Sequence, residues 1–109
     1  MTDRVTKQAS EVKLIVFACE AGMGSSLMGA NQLKKMVKRA NLDVTIVHAP
    51  VHEIPVDTDV ILTHTGLAAR AHEKAPGAAI VPFTMFFNDP VVKTVVDRLA
   101  AGEAIVSEL

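Results

Sequence analysis

The sequence predicts an α/β fold: a four-stranded parallel sheet with helices on both faces. Three observations predict it. Four short apolar runs rich in β-branched residues alternate with stretches whose apolar residues recur every three or four positions. A continuous run such as VKLIVFA suits a strand covered on both faces, which is the situation of a parallel strand. Strands that alternate with helices join through right-handed crossovers into one sheet.

The elements follow in order. Residues 1–11, MTDRVTKQASE, are polar and predict a disordered tail before a single domain at 12–109. Residues 12–18 form the first strand. After a glycine-rich turn, Leu27, Ala30, Leu33, Val37 and Ala40 mark one face of a helix that opens on serine and ends near Ala40. LDVTIVH, residues 42–48, alternates as a second strand. Pro50 and Pro55 mark the loop after it. DVILTH, residues 59–64, is the third strand, and GLAARAHEKA is a helix that stops before Pro76 and Gly77. Residues 78–83, AAIVPF, are the fourth strand. Asp89 then caps a last helix with Pro90 at its first position, and the stripe of Val91, Val92, Val95, Val96, Leu99 and Ala100 ends at Gly102.

Composition narrows the function. The chain has 109 residues, 50% hydrophobic and 21% charged, as expected of one globular domain. Its one cysteine, Cys19, cannot make an internal disulfide, so nothing points to an oxidising compartment. The polar start does not read as a signal peptide, and no run reaches the roughly 18 apolar residues of a membrane span. A cytoplasmic domain without membrane insertion is expected. A net charge of −1 and the lack of Trp and Tyr argue against nucleic acid as a partner. Lys34, Lys35, Lys38 and Arg39 read as the solvated outer face of the first helix, a face also available to an acidic partner.

In an open parallel sheet the ligand site lies beyond the carboxyl ends of the strands. Cys19, His48, His64 and the Pro82-Phe83 pair exit there. The stretch ACEAGMGSS places Cys19 before Gly22, Met23, Gly24, Ser25 and Ser26, at the entrance of the first helix. Unpaired N–H groups of a first helical turn make an anion cradle, glycines allow close approach of an oxyanion, and serines add hydroxyl donors. The same positive field favours a thiolate. The layout therefore fits attack by Cys19 on phosphorus and a phosphocysteine held in a P-loop-like cradle. The bland alternative is a buried small hydrophobe ending a strand.

Rival motifs fit less well. A dinucleotide fingerprint needs its third glycine at the position of Leu27, two residues earlier than Gly29, and a Walker loop needs a lysine in the turn. A small cysteine-dependent phosphatase has an arginine where Ser25 stands, and without it hydrolysis loses its main electrostatic support. Asp89-Pro90 matches the late acid of such phosphatases, although helix capping explains the pair equally well. His48 and His52 lack further ligands, and Pro50 between them spoils a helical face, so neither metal nor cofactor is expected. His64 is a candidate neighbour of the site, either bonding the phosphate or capping its strand. His72 reads as solvated on a surface helix. Met23 and Met28 suit an apolar rim beside the thiol, whereas Leu27 reads as core.

These residues carry a resemblance. ACEAGMGSSLMGA resembles the active-site stretch of the mannitol-type enzyme IIB of the bacterial phosphoenolpyruvate-dependent sugar phosphotransferase system. DVILTH followed by LAARA, and the late VPFTMFF run, resemble that family in order and spacing, over roughly residues 12–100. The resemblance implies a flavodoxin-like or low-molecular-weight-phosphatase-like sheet. It implies that Cys19 takes a phosphoryl group from a phosphohistidine on a IIA component, with residues 22–26 as its cradle. A sugar bound by the membrane IIC component, mannitol or another hexitol, would receive it at the inner face of the membrane. Glu20 stands where the family often has aspartate, and Thr65 and Gly66 where it often has a basic residue and aspartate. Similar domains also act as phosphorylation sensors within sugar-responsive regulators, which keeps a regulatory module as an alternative.

Overall fold

The computed structural model describes residues 5–20, 25–84 and 90–108. Its main sheet has β2 (Leu14–Cys19), β3 (Thr45–Pro50), β4 (Val60–His64) and β5 (Ala79–Phe83), all parallel, in the order β3-β2-β4-β5. The helices are α1 (Ser25–Arg39), α2 (Ala68–Lys74) and α3 (Pro90–Ala100). The expected four-stranded parallel sheet is therefore present. Pro82 falls on β5, an edge of this sheet, where a missing N–H is tolerated.

Alternation along each strand divides the core into two layers. Ile15 and Phe17 of β2, Val60 and Leu62 of β4, and Val81 and Phe83 of β5 pack under Leu33 and Val37 of α1 and Val95, Val96 and Leu99 of α3. Val16, Ala18, Ile61 and Ile80 face the other way, against Leu67, Ala68 and Ala71 beside α2 and Val51 and Ile54 after β3. Period-two side-chain direction on doubly covered strands produces this split. The rings of Phe17 and Phe83 meet with centroids 5.1 Å apart. Gly29 lets α1 lie on Phe17: a Cβ there would fall within 2.8 Å of three ring carbons, Cζ, Cε1 and Cε2.

Both long helices close in the same way. Leu42 N–H donates to the Val37 carbonyl and Asn41 N–H to that of Lys38, with Asn41 at φ 56°. Glu103 N–H donates to Arg98 and Gly102 N–H to Leu99, with Gly102 at φ 77°. Each is a Schellman closure built on a left-handed residue. The first closure uses Leu42, so β3 starts at Thr45 rather than at 42 as the alternation suggested. The expected helix over 66–75 divides into a 3-10 turn, Thr65–Leu67, and the shorter α2. The expected Asp89 cap lies outside the described residues.

The disordered tail expected at 1–11 needs correction over its described part. Thr6–Lys7 forms β1 and pairs antiparallel with β6 (Ile105–Val106), and Ala9–Glu11 form a 3-10 turn. Ser107, fully buried, anchors this pair to the edge of the main sheet. Its Oγ accepts from Ile80 N–H at 2.9 Å, and Glu108 N–H donates to the Ile80 carbonyl at 2.8 Å. At the same N-terminal end of the sheet, Asp59 Oδ2 accepts from the N–H groups of Lys13 and Leu14 at 2.8 and 3.0 Å. Lys7 Nζ lies 3.7 Å from the other oxygen of that carboxylate. Two-residue strands carry too little periodicity to be read from sequence, and their pairing is fixed by these long-range polar contacts.

Candidate functional site

The order β3-β2-β4-β5 sets the position of the site. From β2 the chain turns into α1 on one face and continues to β3. From β4 it turns into α2 on the other face and continues to β5. The crevice at such a switch point lies between the carboxyl ends of β2 and β4. The last paired positions of these strands are Ala18 and Thr63, and the next residue on each is Cys19 and His64. The cysteine and the histidine named from the sequence are therefore brought to the same end of the sheet. Thr63 holds the two strands in step there, its fully buried hydroxyl donating to the Ala18 carbonyl at 3.1 Å.

Cys19 is 4% exposed and ends β2, with its Sγ donating to the Glu20 carbonyl at 3.1 Å. Ser25 is the first residue of α1. Gly22, Met23 and Gly24 of the expected cradle, and the side chains of Ser25 and Ser26, lie outside the described residues. Helix α1, 15 residues long, is thus entered six positions after the thiol, as an N-terminal anion site requires.

His64 has a defined role. Its Nδ1 accepts from Gly66 N–H at 3.2 Å, capping the 3-10 turn that leads into α2. The neutral ring therefore carries its proton on Nε2, which makes that nitrogen a donor. Its ring also meets Phe83 edge-on at 6.2 Å. The expectation was that His64 bonds the phosphate or caps its strand; the cap it makes is to the following 3-10 turn.

Other expectations sort as follows. Leu27 was expected in the core but is 43% exposed, beside Met28 at 54%; both lie in the first turns of α1. The buried stripe begins instead at Ala30, because Gly29 rather than a large side chain meets the sheet. Lys34, Lys35, Lys38 and Arg39 are all exposed, as the amphipathic pattern required. His48 and His52 are exposed on β3 and the turn after it. His72 is half-buried rather than solvated, and its buried Nδ1 has no hydrogen-bond partner among the described residues. A groove of about 210 Å³ lies between α3 and β6, lined by Val91, Arg98 and Val106 among others, away from Cys19.

One contact of the residue that follows the cysteine was missed from the sequence. Arg70, in the first turn of α2, places its Nη1 2.9 Å from Oε1 of Glu20, the residue that follows Cys19. Nothing in the alanine-rich stretch LAARA distinguishes Arg70 from a solvated helix residue. The crossover from β4 into α2 brings it to Glu20.

The family model described as "PTS system, Lactose/Cellobiose specific IIB subunit" matches residues 14–98. The chain belongs to this phosphotransferase-system IIB family. This IIB chain is 41% identical over 99 residues to the "PTS system mannitol-specific EIICB component" of Halalkalibacterium halodurans, covering 91% of the IIB chain and 21% of that relative. The corresponding Bacillus subtilis protein is 40% identical over 88 residues, 81% of the IIB chain and 18% of the relative. The "PTS system mannitol-specific EIICBA component" of Escherichia coli K12 is 35% identical over 100 residues, 91% of the IIB chain and 16% of the relative. The IIB chain thus spans about a fifth of the length of these curated relatives. The family description names lactose and cellobiose, and the relatives' names carry mannitol. Among the described residues, no helix is long and apolar enough to cross a membrane.

Proposed function

We propose that this IIB chain is a phosphoryl carrier that accepts phosphate on Cys19 and passes it to a sugar. The observation that carries the reading is the placement of the chain's one cysteine. It ends β2 at the switch point, immediately before the turn into α1. The donor is a phosphohistidine on a IIA component. The Cys19 thiolate attacks its phosphorus, an S–P bond forms as the P–N bond breaks, and the histidine nitrogen keeps the electron pair. A hydroxyl of the sugar bound by a membrane IIC component then attacks the same phosphorus, its proton passing to a base of that component or to water. The S–P bond breaks and the thiolate is restored.

A phosphothiolate needs anion stabilisation while it waits, and the N–H groups of residues 22–26 at the entrance of α1 are assigned that task. Mannitol or another hexitol is the favoured sugar, since three of the relatives described above carry mannitol in their names. The exposed Leu27 and Met28 fit an apolar rim where a partner closes over the thiol. The work takes place on the cytoplasmic side, at the inner face of the membrane that holds IIC.

The absence of an arginine at Ser25 separates this carrier from a small phosphatase, because hydrolysis would waste the transferred group. The test is reconstitution with a phosphorylated IIA component and membranes containing a mannitol IIC component. Formation of mannitol phosphate that depends on Cys19 supports the carrier. Phosphorylation of Cys19 without any sugar phosphate would identify a sensor module instead, and brisk hydrolysis of an aryl phosphate would identify a phosphatase.

A further inference from the structure

The ion pair beside Cys19 is unlike the other two given by the described residues. Lys7–Asp59 lies at the amino end of the sheet, and Lys93–Asp97 lies along α3. Arg70–Glu20 instead joins α2 to the residue that follows Cys19, across the crevice between β2 and β4. Both side chains are about half exposed, at 56% and 51%. Such a pair contributes little to folding and is readily exchanged. Its position asks for another role.

We propose that Arg70 is a phosphoryl-binding residue that rests on Glu20 until Cys19 is phosphorylated, and then moves to the phosphothiolate. The proposal rests on the carrier reading given above. A phosphoryl group brings nearly two negative charges to the residue adjoining the Glu20 carboxylate. The two anions compete for one guanidinium. Arginine's planar fork matches a phosphoryl group as well as it matches a carboxylate, and the higher charge draws it. Glu20 acts as a placeholder that keeps the arginine at the crevice in the resting protein, and as a repulsive neighbour that lowers its occupancy in the charged one. The cation comes from α2, not from the loop after Cys19. It therefore supports the phosphothiolate without forming the loop arginine of a phosphatase.

The test uses two readouts on the whole chain. The first is alkylation of Cys19 with and without inorganic phosphate, which needs no partner protein. Phosphate should protect the wild-type thiol. Arg70→Gln should weaken that protection about tenfold, Arg70→Lys should recover part of it, and Glu20→Gln should strengthen it severalfold. The second is the equilibrium of phosphoryl transfer between IIA and Cys19, read by intact mass, in which the same variants should shift occupancy in the same directions. Competition has a signature that direct repulsion lacks: the gain from Glu20→Gln must be larger when Arg70 is present than in an Arg70→Gln background. An equal or larger gain without Arg70 overturns the proposal, as does a wild-type thiol that phosphate never protects. Protection that follows the expected order, with no transfer from IIA, would remove the carrier reading and leave Arg70 as an anion-binding residue. Transfer that proceeds unchanged in Arg70→Gln would do the reverse. Thermal unfolding of each variant, expected to match the wild type, separates loss of the pair from loss of the fold.

Discussion

Replacing Gly29 by alanine adds one methyl group at the point where α1 rests on the sheet. In an exposed helix this change would stabilise the protein by about 1 kcal/mol through helix propensity. Here the new carbon would stand within 2.8 Å of three Phe17 ring carbons. Carbon atoms prefer separations near 3.5–4.0 Å, so the ring or the helix has to give by roughly 1 Å. The ring has nowhere to go, being 1% exposed and packed against Phe83. Overpacking of this kind costs about 1–3 kcal/mol, and a ring held on both sides belongs near the upper end. After the propensity gain is subtracted, a net loss of about 1–2 kcal/mol remains. For a domain near this size that lowers Tm by roughly 4–16 °C. Urea unfolding would measure the difference as a shift in midpoint at constant slope. In a Phe17→Leu background, which removes the ring edge, the same alanine should cost less than about 0.5 kcal/mol, the scale of ordinary surface changes. A Gly29→Ala variant more stable than the wild type would refute the packing argument. Since Phe17 lies two residues before Cys19 on β2, the wild-type background should also show slower alkylation or altered phosphorylation of the thiol.

Other substitutions test the frame that holds the site. Asp59→Ala removes the acceptor for the Lys13 and Leu14 N–H groups, and should cost about 2–3 kcal/mol in chemical unfolding. Ser107→Ala leaves the buried Ile80 N–H without its acceptor, and should cost about 1–3 kcal/mol; hydrogen exchange at that amide should accelerate more than elsewhere in β5. Thr63→Val keeps the shape of the side chain but removes its bond to the Ala18 carbonyl, for a loss of about 0.5–1.5 kcal/mol in the same assay.

Strands β2, β4 and β5 and the two long helices were legible because each has a strong pattern. Doubly buried strands read as unbroken apolar runs, and Leu33, Val37, Val95, Val96 and Leu99 recur at helical spacing. Gly102 and Pro90 marked the ends of α3 through their fixed backbone preferences. What failed to show in the sequence depends on contacts distant along the chain. Strand β1 is two residues long and exists because β6, nearly a hundred positions later, pairs with it. The assignment of Leu27 to the core followed the helical period, but the helix axis is set by Gly29, whose missing side chain leaves no hydrophobic signal to count. At the site, Cys19 and His64 could be placed at one end of the sheet, with His48 and the Pro82-Phe83 pair, from the rule that ligands bind beyond the carboxyl ends of parallel strands. Arg70 could not, because its neighbour Glu20 is 50 residues away and the two meet only through the β4–α2 crossover.

The central claim is that Cys19 carries the phosphoryl group. The most direct measurement is intact-mass and peptide analysis after incubation with phosphoenolpyruvate, the general phosphotransferase proteins and a mannitol-type IIA component. The account predicts a mass gain of one phosphate, held on the peptide containing Cys19, lost on return to unphosphorylated IIA, and absent in Cys19→Ser. A stable phosphate on any other residue, or labelling that persists in Cys19→Ser, would contradict it.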